Sequence, residues 1–121
     1  MQTILIVDDS VTVRQQVRIA LTHFGYNIIE ADDGRSGMIM LQRSGVALVI
    51  CDINMRHMNG LEMLERLKGS PRYATLPVIM LTSERRPDLI ERARKAGASG
   101  WIVKPFDAAA LLAAVGKLVP A

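Results

Sequence analysis

The sequence predicts an α/β protein, a doubly wound parallel sheet of five strands covered by helices. Three observations carry this reading. Five short apolar runs recur along the 121 residues. Segments with helical periodicity lie between them. Glycines fall where each of the first four helices should stop. Strict alternation of strand and helix calls for parallel strands, because each helix must carry the chain back to the edge where its strand began.

The strands are read over Thr3–Val7, Tyr26–Ala31, Val46–Cys51, Leu76–Leu81 and Gly100–Val103. The first, third and fourth are nearly unbroken Ile, Val and Leu, the signature of strands buried on both faces. Val13, Val17, Leu21 and Phe24 fall on one face of a first helix, with Ser10 as its N-cap and Gly25 as its stop. A second helix runs to Gly45. In a third, Leu61, Leu64 and Leu67 repeat every third residue before Gly69-Ser70-Pro71. The fourth ends at Gly97, and its Arg85, Arg86, Arg92, Arg94 and Lys95 are read as a solvated face in preference to a docking patch. Leu111, Val115, Leu118 and Val119 stripe the fifth, among alanines that favour helix. Right-handed crossovers leave few arrangements, and the expected one is a flavodoxin-like (βα)5 fold with strand order 2-1-3-4-5, a single domain over 1–121.

Composition excludes several classes. Net charge is +3 and aromatics are 4%, too few for base-stacking platforms, so direct nucleic-acid binding is not expected. No apolar run approaches the roughly 20 residues of a membrane span. The N-terminus lacks the pattern of a secretory signal. The lone Cys51 cannot form an internal disulfide. A cytoplasmic protein without membrane insertion is the expectation.

In such a sheet, chemistry gathers beyond the carboxyl ends of the strands. In LVICDINM an apolar run is driven straight into Asp52. ILIVDDS does the same, delivering Asp8 and Asp9. Thr82-Ser83 follow the fourth strand and Lys104 the fifth. Two unit charges about 5 Å apart cost roughly 3 kcal/mol at an effective dielectric of about 20, so three carboxylates need compensation. Mg²⁺ suits their hard oxygens, and Lys104 adds a positive charge. Metal, lysine and hydroxyl together make a kit for phosphoryl transfer, with a carboxylate able to form an aspartyl phosphate.

ILIVDDSVTVR, VICDINM, PVIMLTSE and GASGWIVKPF, in this order, resemble the receiver domain of two-component response regulators, in particular its single-domain chemotaxis type. The resemblance implies that Asp52 is the phosphoacceptor, that Asp8 and Asp9 form an acidic pocket, and that Asp9, Asp52 and the Asn54 carbonyl ligate Mg²⁺. It implies that Thr82 and Lys104 hold phosphoryl oxygens and that Asn54 and Glu84 tune phosphate lifetime. The donor would be a histidine kinase or phosphotransfer protein. Trp101 would act as a switch residue between the fourth and fifth helices. A downstream target would then read the face built by the fourth helix, fifth strand and fifth helix. A cis Lys104–Pro105 bond is expected as well. The chain departs from the family's pattern at Arg56, usually Pro, at Asn59, usually Asp, and at Trp101, usually Tyr or Phe.

Bland readings stand beside these: Asp8-Asp9 or Thr82-Ser83 as helix caps, and His57 as a solvated loop residue. Other functional classes fit less well. A flavin-phosphate cradle would be repelled by two aspartates, and the P-loop motif is absent. A phosphatase acting through an aspartyl phosphate, and the receiver of a larger transcriptional regulator, remain the alternatives.

Overall fold

The computed structural model describes all 121 residues. Strand and helix alternate throughout: β1 (Thr3–Val7), α1 (Val11–Thr22), β2 (Asn27–Ala31), α2 (Gly34–Arg43), β3 (Leu48–Cys51), α3 (Gly60–Lys68), β4 (Val78–Thr82), α4 (Pro87–Ala96), β5 (Gly100–Val103) and α5 (Ala108–Leu118). All neighbouring strands are parallel, in the order β2-β1-β3-β4-β5. The doubly wound fold predicted from the sequence is therefore present, order included.

The pleat sorts the strand side chains between two layers. Ile4, Ile6, Leu48, Ile50, Ile79 and Leu81 pack with Val17 and Leu21 of α1 and Leu111 and Val115 of α5. Leu5, Val7, Val49, Cys51, Val78 and Met80 pack with Leu41 of α2, Ala93 of α4 and four side chains of α3. Both faces of β1, β3 and β4 are thus apolar and dry, which explains their continuous Ile/Val/Leu runs. Cys51 is a buried packing residue whose thiol is pushed up by desolvation.

Three apolar residues behave otherwise than predicted. Phe24 does not complete the inner stripe of α1; the helix ends at Thr22 and Phe24 is 52% exposed. The chain turns through Gly25 at φ 95°, and Tyr26 takes the interior place instead. Tyr26 lies outside β2 and donates its hydroxyl to the Val119 carbonyl at 2.6 Å, tying the edge of the sheet to the end of α5. Leu118 is 37% exposed, because Leu111, Val115 and Val119 at four-residue spacing already fill the inner face. The strand starts at Val46 and Leu76 also shift inward, to Leu48 and Val78. Pro77 has no N–H for a ladder, but its carbonyl accepts from Val49 at 3.0 Å.

Most helix starts are capped as their sequence dictates. Ser10 accepts from the Val13 N–H, Asp33 from Ser36, and Asn59 forms a reciprocal capping box with Glu62. Asn59 therefore does the capping work expected of it. α4 is the exception: its N-cap is Arg86, which makes no side-chain cap bond.

Candidate functional site

Three of the predicted residues lie one step beyond their strands yet stay in the backbone ladder. Asp8 donates its N–H to Ala31 at 3.1 Å, Asp52 to Val7 at 3.0 Å, and Lys104 to Thr82 at 3.0 Å. The sheet itself aims their side chains into one cleft at its carboxyl edge. Carboxylate oxygens of Asp8, Asp9 and Asp52 lie within 4.8 Å of one another. Asp8 and Asp52 are buried and Asp9 is exposed.

Lys104 Nζ sits between two of them, 2.8 Å from Asp8 Oδ2 and 2.9 Å from Asp52 Oδ2. Asp8 Oδ1 accepts from the Ser10 N–H at 2.9 Å. Its Oδ2 is buried and accepts no well-directed hydrogen bond, so the ammonium is its only compensation. Asp52 Oδ1 accepts from the Ile53 N–H at 2.7 Å, and Oδ2 from Lys104. Burial pushes the Asp8 carboxyl above its ordinary value, against the opposing pull of Lys104 and Ser10. Burial likewise disfavours the Lys104 charge, but its contacts with the Asp8 and Asp52 carboxylates outweigh it and hold the ammonium pKa above normal. By geometry alone, one cation faces three clustered carboxylates, which leaves the cleft short of positive charge.

Thr82 is fully buried at the end of β4, and its Oγ1 accepts from the Glu84 N–H at 3.1 Å. Neither Thr82 nor Ser83 caps α4, whose N-cap is Arg86, so capping does not account for them. The Glu84 carboxylate accepts from the Arg86 N–H at 3.2 Å. Asn54 is exposed, and no backbone N–H donates to its carbonyl. The Lys104–Pro105 peptide is cis. Trp101 packs on the α4 side of the sheet. It borders a cavity of about 280 Å³ with Ile90, Ala93 and Arg94 of α4, and no α5 residue lines that cavity. The indole is half-buried and its Nε1 has no hydrogen-bond partner.

Gly60 and Arg14 were not singled out in the sequence, and His57, read as a solvated loop residue, is exposed but also makes a tertiary contact. Gly60 begins α3 against the Asp52 main chain, and a Cβ there would lie 1.8 Å from the Asp52 carbonyl oxygen. His57 holds the loop after β3. It occupies φ 66°, with Met58 N–H donating back to Arg56 O at 2.7 Å, and its Nδ1 is 2.7 Å from Asp33 Oδ2. The Ser36 N–H and then His57 hold the Asp33 carboxyl down to about 2. This contact ties the loop after β3 to the start of α2. Arg14 reaches from α1 to the Asp8 carbonyl at 2.6 Å. The only signal for it is a position one turn into a helix that opens at the acidic loop.

A doubly wound α/β domain with an acidic cleft and one lysine at the carboxyl edge of its sheet is the class that fold and site define. Residues 4–116 match the response regulator receiver domain family. The chain belongs to that family. It is 40% identical over 116 residues to the chemotaxis protein CheY-3 of Vibrio cholerae, covering 95% of this chain and 89% of that protein. It is 38% identical to the chemotaxis protein CheY of Pseudomonas aeruginosa, covering 95% and 94%. Among solved structures, Vibrio cholerae CheY4 superposes with a TM-score of 0.91 at 34% identity, over 98% of this chain and 99% of that one. A signal receiver domain of a Syntrophus aciditrophicus histidine kinase superposes with a TM-score of 0.90 at 33% identity, over 98% and 89%.

Proposed function

We propose that this chain accepts a phosphoryl group on Asp52 from a phosphohistidine of a kinase or phosphotransfer protein, and that it signals as a chemotaxis-type regulator. The observation that carries the reading is the Asp8–Lys104–Asp52 arrangement at the ends of three strands. An Asp52 carboxylate oxygen attacks phosphorus, the P–N bond breaks, and the donor imidazole keeps its electron pair. Lys104, released from its bond to Asp52 Oδ2, pairs with a phosphoryl oxygen. The Thr82 hydroxyl, exchanging its contact with the Glu84 N–H, binds another. Asn54 and Glu84 flank the approach of the water that later hydrolyses the acyl phosphate.

The donor set fits a hard divalent cation. It offers clustered carboxylates, one with a buried oxygen short of hydrogen bonds, and a carbonyl that accepts nothing from the backbone. Asp9, Asp52 and the Asn54 carbonyl would hold Mg²⁺, with Asp8 beside them. When bound, it would supply the missing positive charge and draw electron density from the phosphoryl oxygens.

Incubation with acetyl phosphate and Mg²⁺ is expected to add one phosphoryl group by intact mass. Asp52→Asn is expected to add none. A hydroxylamine-labile phosphate forming on Asp52→Asn at the wild-type rate would reassign the acceptor. Repeated hydrolysis of free phosphoesters would instead favour a phosphatase.

Output is proposed to leave through α4, β5 and α5, where Trp101 lies. The reading as a free regulator is supported by the likeness to the Vibrio and Pseudomonas chemotaxis proteins. The likeness to a receiver domain of a kinase favours the alternative, a receiver serving a larger protein. Pull-downs with phosphorylated and unphosphorylated protein separate the two by the partner retained. The reading places the protein in the cytoplasm, where such kinases present their phosphohistidine; no helix here is long and apolar enough to cross a membrane.

A further inference from the structure

Glu30 and Arg14 form a brace outside the cleft that the phosphoryl chemistry leaves unused. Glu30 stands near the end of the edge strand β2, and Arg14 lies one turn into α1. Arg14 Nε donates to Glu30 Oε1 at 3.1 Å, while Arg14 Nη1 donates to the Asp8 carbonyl at 2.6 Å. Arg18, one turn further along α1, donates through Nε and Nη2 to Glu30 Oε2, so the carboxylate is held from a second side. The Arg14 side chain is only 16% exposed. A guanidinium pinned through one nitrogen by a carboxylate presents its other nitrogens in a fixed direction.

The carbonyl it grips belongs to the peptide joining Asp8 to Asp9. That peptide's plane sets where the Asp9 backbone starts, and hence where its carboxylate points. Asp8 is already fixed by its own N–H on Ala31 and by its Oδ1 on Ser10. Asp9 has no comparable restraint: it is exposed, and neither its side chain nor its backbone N–H makes a hydrogen bond outside the regular elements. Its orientation depends on the peptide that Arg14 holds.

We infer that Arg14, aimed by Glu30, is a positioning residue that presets the Asp9 carboxylate for a divalent cation. This rests on the proposed Mg²⁺ site. Residues that orient metal ligands without touching the metal change affinity by about 10- to 100-fold when removed. Arg14→Met is therefore expected to weaken Mg²⁺ binding about 10-fold or more. Glu30→Gln, which leaves Arg14 in place but loosens its aim, should weaken it in the same direction by less. Arg14→Lys keeps the charge and loses the fork, so it should not restore wild-type affinity. Arg43→Gln, an exposed site on α2, removes the same charge and is expected to bind like wild type.

The test is a titration of wild type and these variants with MgCl₂, followed by backbone amide chemical shifts, with no phosphodonor present. Far-UV circular dichroism and melting confirm that each variant is folded. Folded Arg14→Met binding Mg²⁺ with the wild-type dissociation constant would overturn the inference. So would Arg14→Lys at wild-type affinity or Arg43→Gln as weak as Arg14→Met, since either outcome reduces the effect to charge. If Arg14→Met does not fold, the inference stands or falls on Glu30→Gln, whose affinity must then drop. Wild type that shows no saturable Mg²⁺ response at the rim amides would instead remove the site, and the proposed function with it.

Discussion

The two sides of the cleft are built to different standards. Around β1 and β3 everything is fixed. Both strands are almost wholly buried, Asp8 and Asp52 extend their ladders, and Gly60 presses against the Asp52 backbone. Toward β5 the packing loosens. All four β5 residues are only partly buried, α4 starts without a side-chain cap, and the Trp101 Nε1 lacks a partner beside a cavity. Well-packed regions open only with the whole molecule, whereas loosely packed ones can shift at low cost. A protein that must hold a reacting atom still and yet report the event benefits from keeping these duties on separate strands.

Two glycines test this contrast most severely. Gly60→Ala is expected to cost about 3 kcal/mol or more, since the new methyl meets backbone rather than a flexible side chain. Gly100→Ala in β5 would place its methyl 3.7 Å from Ile79, an ordinary contact, and should change stability by about 1 kcal/mol or less. Urea unfolding measures both, and equal losses would erase the distinction.

The next effect sharpens the fixed side. Mg²⁺ at about 100 times its dissociation constant should stabilise the fold by about 2.7 kcal/mol if only the native state binds it. Asp9→Ala should abolish the accompanying rise in melting temperature.

Asp33 probes the loops after β2 and β3, on the fixed side. Its carboxyl is held below the ordinary 3.8, at about 2, so its contribution is fully present above pH 4 and is lost as pH falls through that interval. The loss amounts to at most about 2 kcal/mol at about 1.4 kcal/mol per pH unit, less the solvent screening of the half-exposed His57 partner. Acid titration of stability checks this, with Asp33→Asn expected to flatten the curve in that window.

The smallest effect belongs to the loose side. Trp101→Phe discards an unpaired N–H and should alter stability by less than about 1 kcal/mol. Its proposed consequence lies in signalling. Acrylamide quenching of Trp101, the single tryptophan, should change on adding beryllofluoride with Mg²⁺ and stay constant in Thr82→Ala. Unchanged quenching with beryllofluoride bound would move output to another surface.

What could be read from the sequence follows another line, strand ends against contacts between distant segments. Asp8, Asp52 and Lys104 were legible because each terminates an apolar run, and strand ends in a parallel sheet map onto one edge. Thr82 was legible for the same reason. Phe24 was misplaced because helical periodicity does not announce where a helix stops; the turn at Gly25 ended the stripe early. Arg14 and the His57–Asp33 contact were invisible because they join segments distant in sequence, 16 positions apart for Arg14–Glu30 and 24 for His57–Asp33. No local pattern records such pairings. The Trp101 environment depends on how α4 leans against β5, which composition does not encode.

Because the ladder clamps the main chain at Asp8, Asp52 and Lys104, the cleft works as a gauge whose only adjustable dimension is side-chain length. A loop-borne site could absorb one extra methylene by shifting its backbone. On the β1–β3 side the frame cannot retreat, so Glu at position 52 would overshoot toward Lys104; Arg at 104, on the looser side, would still bring a planar fork where a compact ammonium stands. Changes conservative in charge are therefore expected to behave as dimensional errors. Engineers redesigning this cleft would do better to hold the side-chain lengths at positions 8 and 52.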